Sequence, residues 1–125
     1  MREPGESRAP GAAMSAADRR VSQVETICRT AMGCARVVAQ KDPADRAYDY
    51  ERQTYQRRKL RAIQVTNLIT DRQQLEAALR HVIDLCMAAG ETQDAARLLG
   101  KISSPAICDA ILKSHPALAR AGPII

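Results

Sequence analysis

Apolar residues in the first third of the chain recur at alternating spacings of three and four: Val21, Val24, Cys28, Ala31, Ala35 and Val38. This is the a/d period of a helix lying along another helix, so these residues are expected to form one helix–helix interface. Ser15, with Asp18 three positions later, supplies an N-cap and the reciprocal acid of a capping box directly before the stripe. A helix is therefore expected from residue 15 to near Gln40. Its stripe is built from small side chains, which lets the neighbouring helix come close.

Asp42 and Pro43 next offer an N-cap and a first-turn proline. A second helix starting so soon must fold back, which predicts an antiparallel hairpin of two long helices. Along the second arm Tyr48, Tyr55, Ala62 and Ile69 recur at intervals of seven, roughly on one face. A turn centred between Lys41 and Asp42 sets Tyr48 opposite Ala35, Tyr55 opposite Cys28 and Ala62 opposite Val21. The same register puts Asp45, Arg52 and Lys59 opposite Val38, Ala31 and Val24. Those charges must snorkel, or the arm must be rotated or leave the bundle.

The β-branched stretch VTNLIT weakens the second helix, and Thr70 with Gln73 offers a new capping box. A third helix follows, carrying Leu75, Leu79, Val82, Cys86 and Ala89, flanked by Ala78, Ile83 and Leu85, and stopping at Gly90. Thr92 is the expected cap of a short fourth helix with Ala95, Ala96, Leu98, Leu99 and Ile102. Ser104 and Pro105 open a fifth, in which Ile107, Ile111 and Leu112 face inward and Pro116 marks the end. The expected fold is all-α, a helical bundle built on the long hairpin followed by three shorter helices. Residues 1–14, rich in Pro, Gly and Ala, are expected to form a disordered tail, 15–115 a single domain, and 116–125 a C-terminal tail whose Ile124 and Ile125 suit docking.

Composition narrows the core. Aromatic residues make up 2% of the 125, with no Phe and no Trp, so Ala, Val, Ile, Leu, Met and Cys must fill the interior. That favours closely packed helices over a sandwich or barrel, where strands prefer rings and β-branched residues. No apolar run approaches the roughly 18 residues of a membrane-spanning helix, so no membrane insertion is expected. Cys28, Cys34, Cys86 and Cys108 form no close-set pair, and the reading is buried, reduced thiols in a cytoplasmic protein.

Charge raises the one functional question. The net charge is +5, and the stretch YDYERQTYQRRKLR, residues 48–61, contains every tyrosine and no acid after Glu51. On a helix Arg46, Arg57 and Arg61 fall within about 60° of one another, with Arg58 nearby, and Lys59 belongs to the same basic run. These five residues are the candidate contacts for nucleic acid or for an acidic partner, through Arg forks on phosphate or carboxylate. The alternative is a solvated helix face: Asp42, Asp45, Asp49 and Glu51 precede the basic residues, the order that the helix dipole favours.

Other chemistry finds little footing. The histidines, His81 and His115, stand apart from any nucleophile pattern, and no glycine loop or metal-ligand spacing is present. Residues 82–101 have the layout of a helix-turn-helix, which is also that of any tight helical hairpin. No catalytic residue, cofactor, metal or small-molecule substrate is expected. The expected function is that of a small protein–protein interaction subunit or adaptor that self-associates as a homo-oligomer through the stripe from Val21 to Val38. A basic nucleic-acid-binding protein or small regulator using the Arg-rich second helix is the competing reading.

Overall fold

The capping box at the start of the first helix forms as its residues require. In the computed structural model, which describes residues 15–40, 44 and 48–121, Ser15 Oγ accepts from the Asp18 N–H at 3.0 Å and Asp18 Oδ2 accepts from the Ser15 N–H at 3.4 Å. This opens α1 (Ala16–Gln40). It is followed by α2 (Tyr48–Thr66), α3 (Arg72–Ala88), α4 (Thr92–Leu99), α5 (Pro105–Ser114) and α6 (Pro116–Ala121). No strand occurs among the described residues, and the fold is an all-α bundle.

α1 is the central rod. At 25 residues it extends about 37 Å, and it packs along both α2 and α3, which touch each other much less. Val24, Cys28, Ala31, Ala35 and Val38 are buried and Val21 is half-buried, so the expected stripe is the seam of one chain. Cys34, off that stripe, is buried as well, because a helix covered on two sides hides a wider arc than one a/d edge.

The stripe expected on α2 is the face it buries: Tyr55, Ala62 and Ile69 are buried and Tyr48 is half-buried, with Thr54, Val65 and Thr66 buried beside them. Of the charges that the expected register set against α1, Arg52 is exposed and Lys59 pairs with α4 instead. Arg58 Nη1 donates to the Thr30 carbonyl at 2.8 Å and Arg20 Nη1 to the Leu68 carbonyl at 3.0 Å, two ties between α1 and the second arm. The predicted helix start at Asp42 and Pro43 lies outside the described residues, as do residues 1–14, Asp45, Ile124 and Ile125; α2 itself runs for 19 residues from Tyr48.

Two caps also differ. Asp71, not Thr70, caps α3, accepting from the Gln74 N–H at 3.0 Å. A carboxylate outranks a threonine hydroxyl there because it also answers the positive end of the helix dipole. At the far end Gly90, at φ 79°, closes α3 in a Schellman turn: the Glu91 N–H reaches the Cys86 carbonyl at 2.9 Å and the Gly90 N–H the Met87 carbonyl at 3.1 Å. Glu91 then stands at the N-cap of α4, and Thr92 is already its first residue.

Ser104 caps α5 as expected, its Oγ accepting from the Ile107 N–H at 3.4 Å with Pro105 in the first turn. Ile111 is buried, and Ile107 and Leu112 are half-buried. The segment read as a tail instead contributes α6, which buries Leu118 and packs on α4 and α5. Pro116 ends one helix by starting the next.

Two glycines test this backbone. A Cβ at Gly33, midway along α1, meets nothing within 4 Å, whereas Gly90 sits at a left-handed φ. Gly33→Ala should raise stability by up to about 1 kcal/mol, and Gly90→Ala should lower it by about 1–2 kcal/mol. Thermal unfolding followed by circular dichroism gives the order of the two variants, and the opposite order would contradict the backbone described.

Candidate functional site

The basic stretch of α2 divides by direction. Tyr55 and Lys59, one turn apart, point toward the α3–α4 turn, where the Schellman geometry at Gly90 delivers Glu91. The Tyr55 hydroxyl donates to Glu91 Oε1, and Lys59 Nζ lies 2.7 Å from the same oxygen. Lys59 Nζ also reaches Asp94 Oδ2 at 3.2 Å, and Arg97 Nη1 meets Asp94 Oδ1 at 2.6 Å. Two cations thus neutralise two carboxylates, and the Lys59 ammonium sits 5.6 Å from the centre of the Tyr55 ring.

This network is sealed at its Lys59 end and open at its Arg97 end, with the two side chains 14% and 66% exposed. Burial works against the Lys59 charge, but the hydrogen bonds to Glu91 and Asp94 outweigh that and hold the ammonium above its ordinary pKa. Burial and then the bond to Glu91 push the Tyr55 phenol far above its usual range. Burial also drives the neighbouring Cys86 thiol up to about 11 and Cys28 up to about 12, with Cys34 and Cys108 raised in the same direction. Groups so shifted stay protonated at neutral pH, which suits packing and disfavours a thiolate or phenolate nucleophile. All four cysteines are free.

A second ionic cluster fixes the far end of the bundle. Glu76, buried at 3% exposure, accepts from the Ser103 N–H at 2.9 Å and from Arg72 Nε at 2.9 Å. Arg72 also donates to the Lys101 carbonyl at 2.8 Å. The Ser103 N–H first, with burial opposing and Arg72 adding, holds the Glu76 carboxyl below its ordinary pKa. A third link, between His115 Nε2 and Asp84 Oδ1 at 2.7 Å, ties the α5–α6 junction to α3. Thr54 Oγ1 is buried without a hydrogen-bond partner among the described residues.

The outer face of α2 has a different character. Tyr50, Gln53, Arg57, Leu60, Arg61 and Gln64 are exposed and share a stripe about 100° wide, which Leu68 extends past the end of the helix. Of the five basic residues singled out in the sequence, Arg57 and Arg61 lie here, with no ion pair among the described residues. Arg58 is half-buried and bound to α1 at Thr30, also 3.8 Å from Cys34 Sγ; Lys59 is bound to α4; Arg46 lies outside the described residues. Only two of them share a surface that the structure describes as open.

Sequence reasoning missed the Lys59–Glu91–Asp94 network and the exposed Leu60 and Leu68. The first had left a trace, a lysine at a position the assumed register assigned to the core. The turn at residues 82–101, tested as a DNA reader, keeps Asp94 and Arg97 paired with each other and with Lys59. Among the described residues no group of three His, Cys, Asp or Glu side chains is placed to hold a metal ion, and no helix is long and apolar enough to cross a membrane. No family model matches the chain, and neither the curated proteins nor the solved structures offer a match to it.

Removing the ammonium tests the network. Lys59→Met should cost about 2 kcal/mol, because Glu91 keeps only a phenol and Asp94 only Arg97. A double-mutant cycle with Glu91→Gln in denaturant unfolding should show coupling between the two positions, and simple additivity would remove the ion pair from the account. Glu76 carries the acid sensitivity. Its folded pKa lies below the unfolded value near 4.3, so its stabilisation is complete above about that pH and is lost as pH falls through the folded value. The stability gap between the native protein and Glu76→Gln, read from urea midpoints, should be wide at neutral pH and close below about pH 4; a gap independent of pH would contradict the assignment.

Proposed function

We propose that this chain is a small helical protein–protein interaction subunit, of the adaptor kind, and that it presents the outer face of α2 to another protein. One observation carries the reading. The large apolar residues exposed among those described are Tyr50 at 68%, Leu60 at 56% and Leu68 at 56%, and all three belong to α2 or its exit. Single exposed apolar residues are ordinary on protein surfaces, but three gathered on one element beside two arginines that have no ion pair among the described residues suit a recognition face. Arg and Tyr are also the residues in which interfaces are enriched.

Self-association is one form this function takes, with a second copy as the partner. The stripe from Val21 to Val38 is spent inside the chain, so a homo-oligomer would use the α2 face instead. A cytoplasmic location belongs to the same proposal and draws support from the four free thiols.

The competing reading, nucleic-acid binding, rests on Arg57 and Arg61, one turn apart on a stretch without acids. Two such contacts give a slope of only about −2 in log K against log salt on duplex DNA.

A photo-cross-linking residue placed at position 60 in the source cells, with another at exposed Gln93 as control, decides between these outcomes. Protein adducts at 60 and not at 93 are expected, and an adduct of twice the chain's mass identifies self-association. Adducts to nucleic acid alone, or none at either position, would overturn the reading.

A further inference from the structure

We infer that the outer face of α2 receives an acidic amphipathic helix from a different protein, laid lengthwise along Tyr50, Arg57, Leu60, Arg61 and Leu68. This inference rests on the interaction reading above and names the chemistry of the partner.

Shape points first to a helix. The exposed residues recur at the helical period from Tyr50 to Leu68, a strip about 27 Å long at 1.5 Å per residue. A partner helix of about 18 residues matches that length, with its own apolar residues at spacings of three and four meeting Leu60 at the centre and Tyr50 and Leu68 at the ends. An extended segment would match neither the period nor the spacing.

Charge then selects the partner. From Arg52 to Thr70 the chain contains no acidic residue, while Arg52, Arg57 and Arg61 are exposed. Glu91 and Asp94 are taken up by Lys59 on the opposite side of the helix. Arg57 and Arg61 flank Leu60 by three residues and one, so carboxylates bordering the partner's apolar stripe fall within reach of two guanidinium forks.

A second copy fits poorly. Isologous pairing of α2 with α2 would offer Arg57 and Arg61 of each copy only Asp49 as an exposed acid among the described residues of the helix, in a molecule whose net charge is already +5. A single-stranded nucleic acid would satisfy the arginines but leave Leu60 and Leu68 without a role, since base stacking uses rings.

The test uses the full chain and two synthetic peptides of about 18 residues, identical in their leucine stripe, one flanked by glutamate and the other by lysine. Fluorescence anisotropy is read at about 50 mM and about 500 mM salt. The acidic peptide is expected to bind at least roughly tenfold more tightly than its basic twin at low salt, with the advantage shrinking at high salt. Leu60→Glu should abolish binding, and Arg57→Glu with Arg61→Glu should reverse the preference between the peptides. Because all three residues are exposed, the circular dichroism of these variants should match the native protein, which separates lost binding from lost fold.

Equal binding of both peptides, no binding of either, or indifference to Leu60→Glu would each overturn the inference. If sedimentation instead shows a dimer that Leu60→Glu dissolves, the face is an interface between copies; the interaction reading then stands and the acidic partner falls. If the protein is monomeric, ignores both peptides and yields no protein adduct at position 60, both fall together.

Discussion

Two-sided coverage of α1 is the constraint on which the rest of the molecule depends. A rod of 25 residues carrying Val, Ala and Cys where larger side chains would ordinarily sit gains little from any one neighbour, so its burial requires α2 along one flank and α3 along another. Small side chains let both neighbours approach, and Ala31 and Ala35 end with no exposure at all. Bulk is supplied from opposite: Tyr55, Ile83, Leu85 and Ile111 are the largest fully buried side chains, and none belongs to α1. With so few rings in the chain, Tyr55 becomes the principal filler of the interior. Its hydroxyl then needs an acceptor, and Glu91 provides it.

That need explains why the α3–α4 turn has the form it does. A buried phenol and a nearly buried ammonium on α2 both need an acceptor, and the sharp turn at Gly90 places a carboxylate there. Gly90 makes the turn, at a φ that other residues resist, and Glu91 follows directly into position. Glu91 consequently gives up the capping role its place at the head of α4 suggests, since its side chain makes no cap bond to that helix. Local capping rules yield here to a tertiary ionic demand, because an unpaired Lys59 would cost more than an uncapped short helix.

The elements that were legible in the sequence are those whose determinants are local. Ser15 with Asp18, Ser104 with Pro105, and Gly90 after a long apolar run each fix a boundary within a few residues, and each appears where its chemistry places it. The α1 stripe was legible for the same reason, as was the apolar run of α3. What escaped depends on geometry between elements. The hairpin register hinged on where the turn centres, and two stripes of period seven match equally well in several registers, so the assumed pairing of Tyr55 with Cys28 carried no independent information. Lys59 was the residue that showed the conflict, and its charge meets the carboxylates of Glu91 and Asp94 rather than α1. α6 escaped because Pro116 signals both an end and a beginning, and only the burial of Leu118 decides between them.

Charge along α2 shows why a composition-level statement about basicity says little about binding. The run Arg57, Arg58, Lys59, Leu60, Arg61 is continuous in sequence, yet successive residues on a helix are 100° apart, so neighbours in the run meet different surroundings. Arg58 is drawn to α1 and Lys59 to α4, and both are thereby removed from any outer surface. Arg57 and Arg61 are left with Leu60 between them in sequence and beside them in space. A polyanion-binding surface gains from dense, uninterrupted cations, and internal pairing has thinned this one while leaving leucine at its centre. A surface of two forks around an apolar contact is closer to the composition of a protein interface, in which a buried apolar centre is ringed by polar groups that orient the partner. The internal network and the outer face are therefore two consequences of one helix orientation: the setting that hides Lys59 is the setting that exposes Leu60.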